Sequence, residues 1–440
     1  MTRPDRAAAS TVSADLQNLG ATVLDHRLKG IPLGTSLPLS EIGGQGWNVA
    51  RGDLALPVTT LRESALQNNL AVMARYCDLH GALLAPHGKT TMAPQLFRRQ
   101  LDAGAWGMTA ATPTQAAVMR QFGVQRIIIA NELVEPDAIR WIATEMESDG
   151  TSEILSLVDD VDAVMAADSA LDGITRTRRL PVLLEVGVKG GRTGVRGAGQ
   201  AMQVAKAVAA SRHLSLAGIE VYEGLITNGA ATADLKAIDD VLTGVRSLVY
   251  DIARKDLFGT ETITVTAGGS AYFDRVVAVL RDWANLGRPV QLVLRSGCYL
   301  THDLGKYHRV SPLDGRRTAA ESLRLFNALD GWARVLSVPE PDLVILGTGK
   351  RDLPYDIELP TPLTAHQMHD GTVTDLTGAA TIDKMMDQHA FMTLHADITL
   401  RPGDVVRLGM SHPCTAFDKT RFLPIIDDDN TVIDAILTFF

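Results

Sequence analysis

The chain has little cysteine: three residues in 440 (Cys77, Cys298 and Cys414), spread across its length. Three scattered thiols cannot build a disulfide framework, so a reducing cytoplasm is the expected compartment. Positive charge is not in excess either. A net charge of −9 offers no electrostatic footprint for nucleic acid or an anionic membrane. Long apolar runs are missing, none approaching the ~20 residues that span a bilayer. The opening "MTRPDRAAASTVSADLQ" lacks the apolar stretch of about 7–15 residues found in signal peptides. There are no low-complexity tracts or heptads, and the first dozen residues are expected to be disordered. What remains is ordinary soluble globular composition, 46% hydrophobic and 21% charged, with enough chain for two domains.

From about residue 80, short runs rich in Val, Ile and Leu alternate with stretches of helical length. The runs are "ALLAP" (82–86), "AWGMTA" (105–110), "RIIIAN" (126–131), "EILSLVD" (153–159), "PVLLEV" (181–186), "AGIEVY" (217–222), "TITVTA" (262–267) and "QLVLRS" (291–296). Continuous apolar runs suit parallel strands covered on both faces. Between them, "TPTQAAVMRQFG" (112–123) opens with a capping threonine and a proline, and "GAGQAMQVAKAVAAS" (197–211) is apolar at helical spacing. Eight such units predict a closed (β/α)8 barrel over residues 51–310. An open doubly wound sheet would require a glycine-rich nucleotide turn after the first strand, and "PHGKTT" is not one.

After residue 310 the texture changes to strand-like segments broken by turns such as "RPGD" and "DDDN". Residues 311–440 are therefore expected to form a β-domain, with residues 1–50 as a lead partly packed on it. "GTGK" (347–350) lacks full phosphate-loop spacing and reads as a hairpin turn.

Barrel active sites gather at the C-terminal strand ends, which supplies a list of candidates. The first strand delivers His87 and Lys89; the second, third and fourth deliver Thr109, Asn131 with Glu132, and Asp159. The fifth runs into "GVKGGRTGV", with Lys189 and Arg192; the sixth supplies Tyr222, as a ring contact or as core. After the seventh, Gly268, Gly269 and Ser270 offer backbone N–H groups and a hydroxyl, which either cradle a phosphate or make a tight turn. "RSGCY" (295–299) follows the eighth strand. Far from the barrel, "GMSHPCTAFDK" spaces His412 and Cys414 at i, i+2, the same side of an extended segment, where either imidazole and thiolate make a zinc pair or the cysteine is a small buried residue. His389 either faces the site or is structural.

The combination resembles a known family. "APHGKTTMAPQLFRRQLDAGAWGMTAATPTQA" is similar to the start of the alanine-racemase-like barrel of the fold-type III pyridoxal-phosphate enzymes. "SHPCTAFDKTRFLPIIDDD" is similar to the metal-binding segment of the D-serine dehydratase-like branch, which also holds D-threonine aldolases and 3-hydroxyaspartate enzymes. The resemblance implies that Lys89 binds pyridoxal 5'-phosphate as a Schiff base. It further implies cofactor contacts from His87, Arg192, Tyr222, Gly268, Gly269, Ser270 and Tyr299, and a divalent metal, expected to be zinc, on His412 and Cys414. It also suggests a homodimer. Elimination of water and ammonia from D-serine or D-threonine is the expected reaction, because His-x-Cys resembles the dehydratases of the branch. Retro-aldol cleavage to glycine and an aldehyde is the alternative, and a cofactor carrier the non-enzymatic one.

Overall fold

The computed structural model describes residues 13–318 and 321–440; the expected disorder of the first dozen residues lies outside them. Each of the eight apolar runs overlaps a strand: Leu83–Leu84, Met108–Ala110, Arg126–Glu132, Glu153–Val158, Leu180–Val186, Leu214–Val221, Ile263–Ala267 and Val290–Leu294. They pair in parallel and in sequence order from the second to the eighth, and the eighth pairs with the first. The seam between first and second carries Trp106 N–H to Leu84 O (2.7 Å), Thr109 N–H to Pro86 O (2.9 Å) and a bridge between His87 and Thr109. The result is a nearly closed barrel.

Both faces of the strands are buried, which is why the sequence shows runs and not alternation. Inward-facing Leu83, Ala85, Trp106, Ile128, Leu155, Leu183, Ala217 and Val293 fill the lumen. Outward-facing residues pack under helices such as Pro113–Gln121, where the Thr112 side chain accepts from Gln115 N–H as the expected cap. No described helix is long and apolar enough to cross a membrane.

The β-domain is built on the 12-residue strand Leu329–Glu340, which pairs with Val405–Gly409 and Leu343–Leu346. Val58–Arg62, just before the barrel, also pairs antiparallel with it. That strand belongs by its hydrogen bonds to the β-sheet. Trp332, fully buried, donates to Thr60 Oγ1 (2.9 Å) and packs with Leu24, Ile31, Val58 and Phe422, so the N-terminal lead shares this core. "RPGD" and "DDDN" are turns, closed by Asp404 N–H to Arg401 O and Asn430 N–H to Asp427 O. "GTGK" differs from its expectation. The hairpin after Leu329–Glu340 turns at residues 340–343, whereas Gly349 N–H donates to Asp352 Oδ2 in a later loop.

Candidate active site

A cavity of about 450 Å3 opens at the C-terminal end of the barrel strands, in the range of small-molecule sites. Lys89 enters it from a short helical turn, Gly88–Thr90, directly after the first strand. Gly88 permits that turn, because a Cβ there would lie 2.5 Å from Met119 Cε. His87 lines the same wall, and its Nδ1 is buried without a partner. Burial, with Lys89 and Arg295 nearby, holds its imidazole far below the usual range, hence neutral.

The loop after the fifth strand folds back on it through Val195 N–H to Glu185 O (2.9 Å), bringing Arg192 to the cavity. The guanidinium lies 5.1 Å from the centre of the Tyr222 ring, a cation–π distance. Burial foremost, then Glu223 beside it, pushes the Tyr222 phenol up to about 12, so it stays protonated. Lys189 is exposed and does not line the cavity; Lys306 does.

The anion corner differs in detail from its expectation. The amides of Gly268 and Gly269 donate to the buried carboxylate of Glu223 (3.0 and 2.7 Å), not to the cavity. Gly268, Gly269 and Ser270 all line it, and Ser270 Oγ accepts from Cys298 N–H (3.1 Å). Gly297, beside them, lies so close to the first strand that a Cβ would fall 2.3 Å from His87 O. The backbone of residues 296–298 thus packs directly behind His87. Tyr299 points away: its hydroxyl accepts from Gln100 Nε2 (3.2 Å) in a separate hollow of about 280 Å3 beside Leu84 and Cys77. Of "RSGCY", Arg295 and Cys298 line the cavity instead.

Arg295 was missed in the sequence. It is 5% exposed, ion-paired with Glu220 and bonded to Thr266 Oγ1 (2.9 Å). Burial raises the Glu220 carboxyl to about 7, with Arg295 opposing it. The signal was available: a charge at the end of "QLVLR" must be paired if the run is a barrel strand.

The β-domain supplies the other wall. Leu304 N–H bonds Met410 O (2.9 Å) and Lys306 N–H bonds Ser411 O (3.1 Å), laying residues 410–414 across the barrel mouth. His412 and Cys414 both line the cavity. His412 Nδ1 is 2.7 Å from Asp356 Oδ2, and Thr415 Oγ1 donates to Oδ1 of the same carboxylate (2.9 Å). Burial works against the Asp356 charge, but these bonds outweigh it and hold its carboxyl below the usual range. Asp356 had no sequence signal, lying 56 residues upstream in an irregular loop. His389 is exposed in the loop after Ala380–Met385, outside the cavity.

The residues fit the groups that the resemblance implied. His87 Nδ1 and one oxygen each of Glu185 and Glu220 are buried, unpartnered, and belong to cavity-lining residues, as a wall awaiting a polar ligand would have them. For a metal, the His412–Asp356 bond matches the carboxylate–histidine pattern that leaves Nε2 free as a ligand, and Cys414 supplies a thiol. Apart from that set, Glu132, Asp159 and Glu185 bring carboxylate oxygens within 4.8 Å of one another.

By fold and site this is an amino-acid-type cofactor barrel with an appended β-domain, and comparisons with known proteins agree. Residues 61–276 match the family "Alanine racemase, N-terminal domain", and residues 328–426 match "Putative serine dehydratase domain". The barrel is thus of the alanine racemase-like, fold-type III kind, and the domain after it is of the D-serine dehydratase kind. Pyridoxal phosphate is the cofactor this family implies. A 3-hydroxy-D-aspartate aldolase of Paracoccus denitrificans (strain Pd 1222) is 25% identical over 310 residues, 70% of this chain and 75% of the relative. The solved D-threonine aldolase from Filomicrobium marinum superposes with a TM-score of 0.73 at 22% identity, covering 89% of this chain and 97% of that one. A D-threo-3-hydroxyaspartate dehydratase, a cysteine-to-alanine variant in the metal-free form, superposes with a TM-score of 0.67 at 19% identity, covering 87% and 97%.

Proposed function

We propose that the chain is a pyridoxal-phosphate- and metal-dependent lyase of D-amino acids bearing a hydroxyl on Cβ, and that it cleaves the Cα–Cβ bond to leave glycine and an aldehyde. The observation that carries this reading is the meeting, in one cavity, of the Lys89 amine from the barrel with His412 and Cys414 from the β-domain. The aldolase names of the relatives support cleavage over elimination.

Pyridoxal phosphate, when bound, supplies an electron sink for the pair released at Cα, and the metal a Lewis acid for the β-oxygen. Lys89 holds the cofactor and is the amine placed to move a proton at Cα. Ser270 Oγ, with the backbone beside Gly297, holds the phosphate end. The Arg295–Glu220 pair fixes the cavity floor, and Arg192 brings its charge over the Tyr222 ring. Asp356 holds His412 so that Nε2 faces the metal. A second reading, elimination to a 2-oxo acid and ammonia, is favoured by one feature: the thiol of Cys414 in place of an oxygen ligand.

The test is product analysis with D-threonine. Glycine and acetaldehyde are expected; 2-oxobutyrate and ammonia would decide for elimination. Borohydride reduction is expected to fix the cofactor covalently to the peptide containing Lys89. Equal trapping in a Lys89→Ala variant would end the assignment.

A further inference from the structure

We propose that Cys298 is a third protein ligand to the metal, so that the chain holds its cation through two thiolates and one imidazole. This rests on the preceding reading of His412 and Cys414 as metal ligands and adds a residue from the other domain. Catalytic zinc sites commonly use three protein ligands and keep one position open. A His-x-Cys pair is one ligand short of that.

The sulfurs of Cys298 and Cys414 lie 3.4 Å apart, across 116 residues of sequence. That is far beyond the roughly 2.05 Å of a disulfide. It is near the separation of about 3.8 Å that two 2.3 Å zinc–sulfur bonds subtend in a tetrahedron. Two thiolates sharing a cation would open the pair by the few tenths of an ångström required. Thr90 Oγ1 stands 3.8 Å from one sulfur and 3.6 Å from the other, so the pair sits one residue along the chain from Lys89. Both cysteines line the cavity with His412.

Each thiol is presented by a fixed backbone. Cys298 N–H is bonded to Ser270 Oγ (3.1 Å), and Gly297 before it packs against His87. Cys298 therefore belongs to the anion corner through its backbone and to the metal through its side chain. Residues 410 and 411 are tied to the barrel by the Leu304 and Lys306 amides. The sulfurs and the imidazole nitrogen are not all within 4.8 Å of one another. Closure on a cation thus falls to His412, whose side chain is 13% exposed and lines the same cavity as the two thiols. A two-sulfur set selects zinc or cobalt over magnesium or manganese.

The experiment uses metal-depleted full-length protein reloaded with Co2+ or Zn2+. The sulfur count is read by X-ray absorption and by sulfur-to-cobalt charge-transfer absorption, and affinity by competition with a chromophoric chelator. Wild type is expected to show two sulfurs. Cys298→Ser and Cys414→Ser are each expected to show one, with affinity about 100-fold weaker. Cys298→Ala, checked for an unchanged circular dichroism spectrum, guards against a folding artefact. One sulfur in wild type, or an undiminished count and affinity in Cys298→Ser, overturns the proposal. Should His412→Ala and Cys414→Ser alone weaken binding, the preceding reading stands and this one falls. Wild type that takes up neither metal overturns both.

Discussion

Replacing Glu132 by glutamine probes how the barrel mouth tolerates its charge. Glu132, Asp159 and Glu185 converge from the ends of the third, fourth and fifth strands, and among the described residues none of them is in a salt bridge. Both oxygens of Glu132 are buried without a partner. Burial first, then the neighbouring carboxylates of Glu185 and Asp159, raise its carboxyl from 4.5 to about 9. A raised folded value means that the group's stability contribution is complete below pH 4.5 and is lost as the pH climbs toward 9. At pH 8 the full shift would correspond to about 5 kcal/mol at ~1.36 kcal/mol per unit. Glu132 is only half-buried, and solvent screening reduces this to about 1–2 kcal/mol. Glutamine keeps the shape and removes the titration. In metal-free protein, Glu132→Gln is expected to melt about 1–2 °C above wild type at pH 8 and at the same temperature at pH 4.5. Melting followed by circular dichroism at both pH values decides it. An equal shift at both would refute the electrostatic account. A lower melting temperature at pH 8 would mean that the carboxylate is ionised and useful there.

Two further substitutions test the frame of the site. Gly297→Ala places a Cβ 2.3 Å from the His87 carbonyl oxygen and 3.0 Å from its carbon. Because neither backbone can yield cheaply, a loss of about 1–3 kcal/mol is expected, with weaker pyridoxal phosphate binding in a fluorescence titration; unchanged stability and binding would show that the loop moves freely. Arg295→Met strips the partner from Glu220, which is 2% exposed. A cost of about 3–5 kcal/mol is expected, largely recovered by adding Glu220→Leu. Denaturant midpoints of the single and double variants measure it, and simple additivity would contradict the pairing.

How much of this was legible follows from what each residue signals on its own. The barrel was visible because strands buried on both faces become uninterrupted apolar runs, and because helices such as Pro113–Gln121 announce their caps. Thr361–His366, Ala380–Met385 and Ala390–Leu394 escaped notice. In the first two, buried and exposed positions follow no regular alternation, whereas Ala390–Leu394 alternates in burial but its sequence AFMTL hides it, because the outward Phe391 is apolar too. In the site, Lys89, His87, Arg192, Tyr222, Ser270, His412 and Cys414 do line one cavity. Choosing Tyr299 over Cys298 failed for a geometric reason. Period-2 alternation tells which strand residue faces inward, but it lapses in the irregular turn after Leu294, so the sequence does not show that Cys298 lines the cavity while Tyr299 borders a separate hollow.

That lapse of alternation also explains why the thiol pair of Cys298 and Cys414 needs both domains. A thiol on a loop after a barrel strand has no rigid element to aim it. Here the aim comes from outside the loop. Ser270 fixes the amide of Cys298, and the β-domain returns to the barrel at Leu304 and Lys306 to set residues 410–414 above it. The domain is anchored in turn by Val58–Arg62, a strand that leads directly into the helix Glu63–His80 ahead of the first barrel strand. Chain that enters the barrel thus begins in the sheet that covers it. The 3.4 Å between the two sulfurs is consequently a property of the interdomain hydrogen bonds.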